Sequence, residues 1–448
     1  MLIRFLVSNL FSFNQETEFN MLTGDIRRFP DHVYNHPKVD VLKTAVIYGA
    51  NGAGKSNLIF AIDIFVDMIT HGGSDLFSYL PIFKLAESQE KPVKFEIEFI
   101  SSGIGYGYGL TLLKGVVQEE WLNKLNFGAK EDSLIFRRIA GKKGRSKIII
   151  SPKYQKTAKD KVLIQVYEDE ILEEDQFFLT LAHNKRYSEI TKAFNYISSG
   201  IIVINGSNSY NAIVSSFMDN PDFKEFTNKH ICNFDTGVGN IDIEIINFDS
   251  YFGEDNISEK ENVLRIIQGG RSHPVGESRN AIAMLEDGKP IIKKIVTYHT
   301  STITGKPVKF ELSEESDGTL RLLEFLPILY MLENFSVTII IDEMDESIHP
   351  ALLKEFIAKL QLNGSRIGQL IFTTHESNLL DLNIFRPDEI WFAEKDKTGA
   401  TQFYPLSDYN IRQDLDIRKG YLSGRFGAIP FLSDLKKLNW NTDGGEQK

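Results

Sequence analysis

The segment Gly49-Ala50-Asn51-Gly52-Ala53-Gly54-Lys55-Ser56 constrains this chain more than any other. It completes the pattern G-x-x-x-x-G-K-[ST] and has the flanks the pattern needs. An apolar run at 44–48 precedes it, and Leu58, Ile59, Ile62, Phe65, Val66 and Ile69 follow at helical spacing, closing at His71, Gly72 and Gly73. The unit predicted is strand, glycine turn, helix. Glycines let successive backbone N–H groups turn inward around phosphate oxygens, while the helix beginning near Lys55 directs its positive dipole end at the same anion. Lys55 then reaches the β- and γ-phosphates of a nucleotide, and Ser56 offers a hydroxyl to Mg²⁺.

Three later segments carry compatible chemistry. Val337-Thr338-Ile339-Ile340-Ile341 reads as a buried central strand, and Asp342 and Glu343 end it where α/β sheets place ligands. Asp342 would hold the Mg²⁺ shell and Glu343 would polarise an attacking water, although acids capping the next helix are the simpler alternative for the pair taken alone. Residues 369–373 form a second apolar strand, followed by Thr374 and His375; a lone histidine there is usually structural, but beside the other motifs it could bond a γ-phosphate. Ser316, Asp317 and Gly318 open the helical run Leu320, Leu322, Leu323, Phe325 and Leu326, which is either a further anion site or an N-cap without a ligand.

Around these motifs the chain reads as α/β. Residues 1–13 are apolar, but Arg4, Asn9 and Ser12 interrupt them and no cleavage site follows, so a strand is expected rather than a signal peptide. Residues 93–150 alternate in short runs, a β meander, and 161–229 carry mostly helical spacing around an apolar stretch at 201–204. The C-terminal part predicts helix 317–332, strand 337–341, helix 351–362 and strands 369–373 and 389–393.

Composition narrows the class. Hydrophobic residues are 42% and charged residues 25%, which excludes disorder and fibrous architectures. A single cysteine, Cys232, forbids an internal disulfide and a Cys-based metal site and suits a reducing compartment. No run reaches 18 uninterrupted apolar residues, so no membrane helix is expected, and the cytoplasm is the expected location. The net charge of −11 argues against coating nucleic acid with the whole surface. One local exception is the basic cluster Lys142, Lys143, Arg145, Lys147, Lys153, Lys156, Lys159 and Lys161, which could track a phosphate backbone or an acidic partner, or form a solvated hairpin.

Together the four motifs resemble the ABC-type ATPase head of the SMC and RecF branch, to which Asn51 and Asn57 in "GANGAGKSN" are typical. "IDEMDESIHP", "TTHES", "DEIWFAEKD" and "YLSGRFGAIP" further resemble the bacterial OLD-like, abortive-infection (phage-defence) ATPases. The resemblance implies an α/β P-loop NTPase split by an inserted mixed α+β lobe: 1–110 and 306–448 as the two halves of the head, 111–305 as the lobe. It implies Mg-dependent ATP hydrolysis, with Asn51, Gly52, Gly54, Lys55, Ser56 and Asn57 at the nucleotide and Ser56 and Asp342 at Mg²⁺. Glu343 and His375 would be catalytic. Ser316 and Gly318 would be a signature loop closing on a partner subunit's ATP, and Asp345 would be the D-loop. Two departures stand out: Glu315, Asp317 and Thr319 replace residues of the usual signature, and the Q-loop glutamine is unplaced, with Gln89 and Gln118 as candidates.

Lys55 and Asp342 are 287 positions apart, and no heptad arm fills the interval. Too few residues follow His375 for a Toprim nuclease. A homodimer or higher homo-oligomer is therefore expected to regulate a separate nuclease-like or toxic effector in antiphage defence. The lobe and "YLSGRFGAIP" are the expected contact regions for that effector or a phage-derived trigger. The competing expectation is a RecF/SMC-like ATPase that binds DNA in repair or recombination.

Overall fold

The computed structural model describes the chain except for residues 74–79, 87–89, 129, 142–144, 184–185, 206–219, 235, 254–255, 271, 277–280, 347, 410, 413–414 and 430–448. Its strands, in chain order, are β1 (Leu2–Ser8), β2 (Thr17–Asn20), β3 (Val33–His36), β4 (Val39–Leu42), β5 (Thr44–Gly49), β6 (Val93–Ser101), β7 (Ile104–Leu113), β8 (Val116–Lys124), β9 (Ser133–Ala140) and β10 (Ser146–Ile150). There follow β11 (Ile201–Ile204), β12 (Val238–Asn247), β13 (His273–Val275), β14 (Ala281–Glu286), β15 (Lys289–Thr300), β16 (Pro307–Glu311), β17 (Thr338–Ile341), β18 (Gln369–Thr373), β19 (Ile390–Lys395) and β20 (Thr401–Pro405).

The central sheet positions the site. Its order is β11-β17-β18-β5-β19-β20, parallel throughout except for β20, which returns antiparallel from β19. Strands such as Thr-Ile-Ile-Ile in β17 are buried on both faces, as a parallel sheet covered on both sides requires. Alternate residues serve two cores. Ala45, Ile47, Ile340, Ile371 and Ala393 face the helix Lys55–His71 and the N-terminal sheet, whereas Val46, Tyr48, Ile339, Ile341, Leu370, Phe372 and Phe392 face the helices Asp317–Asn334 and Pro350–Leu362. Because all five parallel strands point the same way, Gly49, Asp342 and Thr373 emerge at one edge.

A seven-stranded antiparallel sheet, β10-β9-β8-β7-β6-β1-β2, packs against the other side of the Lys55–His71 helix. The opening residues are strand β1, paired with β2 and β6. The boundary expected at residue 110 falls inside β7, so the meander extends the N-terminal sheet rather than beginning a lobe. Hydrophobic alternation reveals a strand but not the sheet it joins. The same holds for 201–204, which is β11, an edge strand of the central sheet paired with β17, while helices Ala158–Val166, Phe178–Ala182, Ser188–Asn195 and Pro221–Ile231 surround it in sequence. A separate sheet, β12-β15-β14-β13, with β16 also on β15, packs against the helix Asp317–Asn334, accompanied by the helices Pro221–Ile231, Phe248–Phe252 and Ile257–Gln268.

Buried polar residues stitch the layers. Gln369, at the start of β18, accepts from Leu2 N–H (2.8 Å) and Thr338 Oγ1 (2.9 Å) and donates to the carbonyls of Leu2 (3.0 Å) and Leu42 (2.8 Å). Tyr421, Phe426 and Ala428 correct the expectation that 421–430 is spare surface: they are buried on the central sheet, with Tyr421 and Phe426 stacked on Phe392. Pro430 lies outside the described residues. No helix among the described residues is long and apolar enough to cross a membrane.

Candidate functional site

The glycine loop owes its shape to close approaches and left-handed backbone. Gly49 ends β5 so near its neighbour that a Cβ would lie 2.6 Å from the Ala393 carbonyl, and Gly52 and Gly54 have φ of 77° and 106°, which side chains rarely tolerate. Gly54 starts the Lys55–His71 helix. Lys55 is buried, and its ammonium folds back onto the loop, donating to the carbonyls of Gly49 (2.9 Å) and Ala50 (3.3 Å). Burial lowers the lysine pKa, while the nearby carboxylates of Asp342, Glu343 and Asp345 oppose that. Asn51 and Gly52 are exposed at the mouth, and Ser56 is half-buried in the helix's first turn.

Asn57 follows in the same turn and is half-buried. Its Nδ2 donates to Ser12 Oγ at 2.7 Å. Thr401, from β20, donates its hydroxyl to the Ala53 carbonyl (2.8 Å) and lies 2.7 Å from Ser12 Oγ, and any Cβ on Gly54 would strike its side chain. Ser12 and Thr401 thus clamp the loop from behind. The sequence reading missed both: Ser12 appeared only as a polar interruption between Phe11 and Phe13, and nothing in sequence marks Thr401. Thr401→Val removes two buried hydroxyl bonds and should destabilise the protein by about 1–2 kcal/mol in urea denaturation; an unchanged midpoint would mean the clamp carries no load.

At the ends of β17 and β18, Thr373 is the hub. Its hydroxyl donates to Asp342 Oδ1 (2.5 Å) and accepts from Glu343 N–H (2.7 Å). Glu343 is exposed and held at φ 50°, a left-handed conformation that costs a non-glycine residue of order 1 kcal/mol and recurs at functional sites. Asp345 accepts from His375 N–H at 3.2 and 3.3 Å. Partial burial and then Lys55 lower the His375 pKa, with Asp345, Glu343 and Asp342 opposing, so the ring favours its neutral form at pH 7. Lys55, Asp342, Glu343, Asp345 and His375 therefore share one electrostatic site. Three carboxylates face one ammonium whose bonding partners are carbonyls. These carboxylates are not gathered closely enough to hold a metal ion by themselves, but their surplus of negative charge suits a share in a divalent cation's shell, and the ammonium, once it leaves the two carbonyls, suits an anionic group.

Ser316 and Gly318 stand apart. Among the described residues neither bonds to that constellation: Ser316 caps its own helix, its Oγ accepting from Thr319 N–H at 3.1 Å and lying 2.9 Å from Thr319 Oγ1. Gly318 is half-buried, with only Ser316 Oγ within 4 Å of a built Cβ. Gln118 lies in β8 and bonds its own strand at Val116, while Gln89 falls outside the described residues. Of the basic cluster, Arg145 pairs with Asp169 (3.4 Å) and Lys153 with Glu189; Lys142 and Lys143 lie outside the described residues.

Comparison with known proteins supplies the family. Residues 45–381, about three quarters of the chain, match the family model described as "AAA domain, putative AbiEii toxin, Type IV TA system". The chain belongs to this family. This AAA-domain family member is accordingly a P-loop NTPase of the ATPase type, in keeping with its parallel sheet and glycine loop. No curated protein matches its sequence. Among solved structures it is similar to the SMC head domain from Thermotoga maritima, with 15% identity, 90% of this chain and 98% of that chain covered, and a TM-score of 0.37. It is also similar to an SMC head solved bound to the C-terminal winged-helix domain of ScpA, with 12% identity, 90% and 97% covered, and a TM-score of 0.43.

Proposed function

We propose that this chain binds and hydrolyses ATP with Mg²⁺, and that its nucleotide state controls a separate effector protein in antiphage defence. The observation that carries the hydrolytic part is the meeting of Lys55, Asp342, Glu343 and His375 at the carboxyl edge of the central sheet, with Thr373 joining the last two strand ends. Mg²⁺, held by Ser56 and Asp342, would neutralise charge on the phosphates. Lys55 would exchange its two loop carbonyls for phosphate oxygens. Glu343 would take a proton from the attacking water, and neutral His375 would donate to the γ-phosphate.

Lys55→Ala tests this reading. Purified protein should show Mg-dependent ATP turnover, and the variant should bind ATP at least tenfold more weakly because the cation facing the phosphates is gone. Equal affinity and turnover in both proteins would refute it.

The control of an effector rests on the family's description as a putative toxin of a toxin–antitoxin system and on a sheet, β12-β15-β14-β13, that lies outside the two sheets building the nucleotide site. We further propose a two-fold dimer in which Ser316 and Gly318 of one subunit complete the ATP site of its partner. Lys55→Ala and Ser316→Arg chains, each inactive alone, should regain part of the wild-type turnover when mixed, since one composite site in each mixed dimer is intact. A mixture as silent as its parents counts against sites shared between subunits.

A further inference from the structure

Glu315, which immediately precedes the helix cap, has a side chain only 5% exposed. It does not face the nucleotide site. Two side chains of β15 hold it: Thr297 Oγ1 donates to Glu315 Oε1 at 2.5 Å, and His299 Nε2 lies 2.7 Å from the same oxygen. Thr297 is fully buried, and the His299 ring lies against Phe310 of β16 at 4.4 Å. A carboxylate withdrawn from water is costly unless its partners are fixed, so this contact is specific rather than incidental.

The helix that follows is wedged between two bodies. Leu323 and Leu326 pack with Ile241, Ile282 and Ile295 of the β12-β15-β14-β13 sheet, whereas Leu322, Phe325, Ile328 and Leu332 pack with the central sheet. Apolar packing of this kind resists separation but permits sliding; the directional bonds to Glu315 fix where along β15 the helix begins. The next residue is Ser316, whose Oγ and carbonyl hold the N–H groups of Thr319 (3.1 Å) and Leu320 (2.9 Å).

We infer that Glu315, Thr297 and His299 form the joint by which the β12-β15-β14-β13 sheet positions Ser316 and Gly318. The joint stands on geometry alone; its effect on turnover rests on the nucleotide reading given above. All three are positioning residues, and a molecule that displaces β15 would act on ATP turnover through them without touching the nucleotide.

The test compares Glu315→Leu, Glu315→Gln and Thr297→Val in the full-length protein, by amide hydrogen exchange together with ATP Kd and kcat. Glu315→Leu should speed exchange of the Thr319 and Leu320 amides about tenfold and leave the amides of the Lys55–His71 helix unchanged. It should lower kcat about tenfold with Kd within about twofold of wild type. Glu315→Gln, which keeps an acceptor oxygen, should stay within about threefold of wild type in every measurement. Unchanged exchange at Thr319 and Leu320 in both Glu315→Leu and Thr297→Val overturns the joint, and so does an equal rise in the Lys55–His71 helix, which would indicate general loosening. If exchange changes as expected but wild-type protein turns over no ATP, the joint stands and the nucleotide reading falls.

Discussion

Glu343→Gln should retain ATP at close to the wild-type Kd and lower kcat about 10²- to 10⁴-fold, the span typical of losing a general base. An amide has nearly the shape of the carboxylate but cannot accept the proton of the attacking water. The backbone that presents it should survive the change, because the Thr373 hydroxyl holds Glu343 through its N–H and not its side chain. The φ of 50° is likewise a property of the β17 turn. Single-turnover measurements with purified protein decide the matter: a burst rate equal to wild type would remove Glu343 from the chemistry and leave it as a strained turn residue.

The second large effect is on stability. Gln369→Leu should cost about 3 kcal/mol, because it strips a hydrogen-bond partner from the buried Leu2 and Leu42 carbonyls and weakens the hold on Leu2 N–H and Thr338, each such group costing about 1–3 kcal/mol when left unpaired. Leucine nearly matches the volume lost, so the expected deficit is polar rather than a cavity. Thr338 Oγ1, 3.3 Å from Leu2 N and 2.8 Å from Tyr196 Oη, softens the blow only for the N–H. Chemical denaturation gives the number; a shift below about 0.5 kcal/mol, the scale of a neutral surface change, would show that the sheets do not depend on this side chain.

Both residues illustrate what a sequence can disclose. The glycine loop and the strand ending in Asp342 and Glu343 were legible because phosphate binding demands particular residue types at fixed local spacing, and the helices and strands around them follow apolar periodicities over a few turns. Sheet membership was not legible. β8–β10 alternate and β11 is a short apolar run, patterns any strand can have, and only the register with β7 and β17 shows that they belong to the head. The supports of the site were hidden for the same reason: Ser12 and Thr401 meet across 389 positions, and a serine or threonine between apolar residues has no distinguishing pattern. Glu315 was visible only as a departure from an expected loop, and its reason lies on β15.

The clamp behind the glycine loop has a consequence for how the molecule is made. β5, which delivers the loop, lies between β18 and β19, and the hydroxyl that fixes Ala53 comes from β20. A ribosome has therefore synthesised the loop more than 300 residues before it makes the strands that hold it. Until then the emerging chain can form the N-terminal meander, whose hairpins are local, but not the parallel sheet, whose pairings are distant and slow to close. The phosphate cradle is thus among the last features to acquire its final shape, and nucleotide has a finished place to bind only once the C-terminal hairpin is in position.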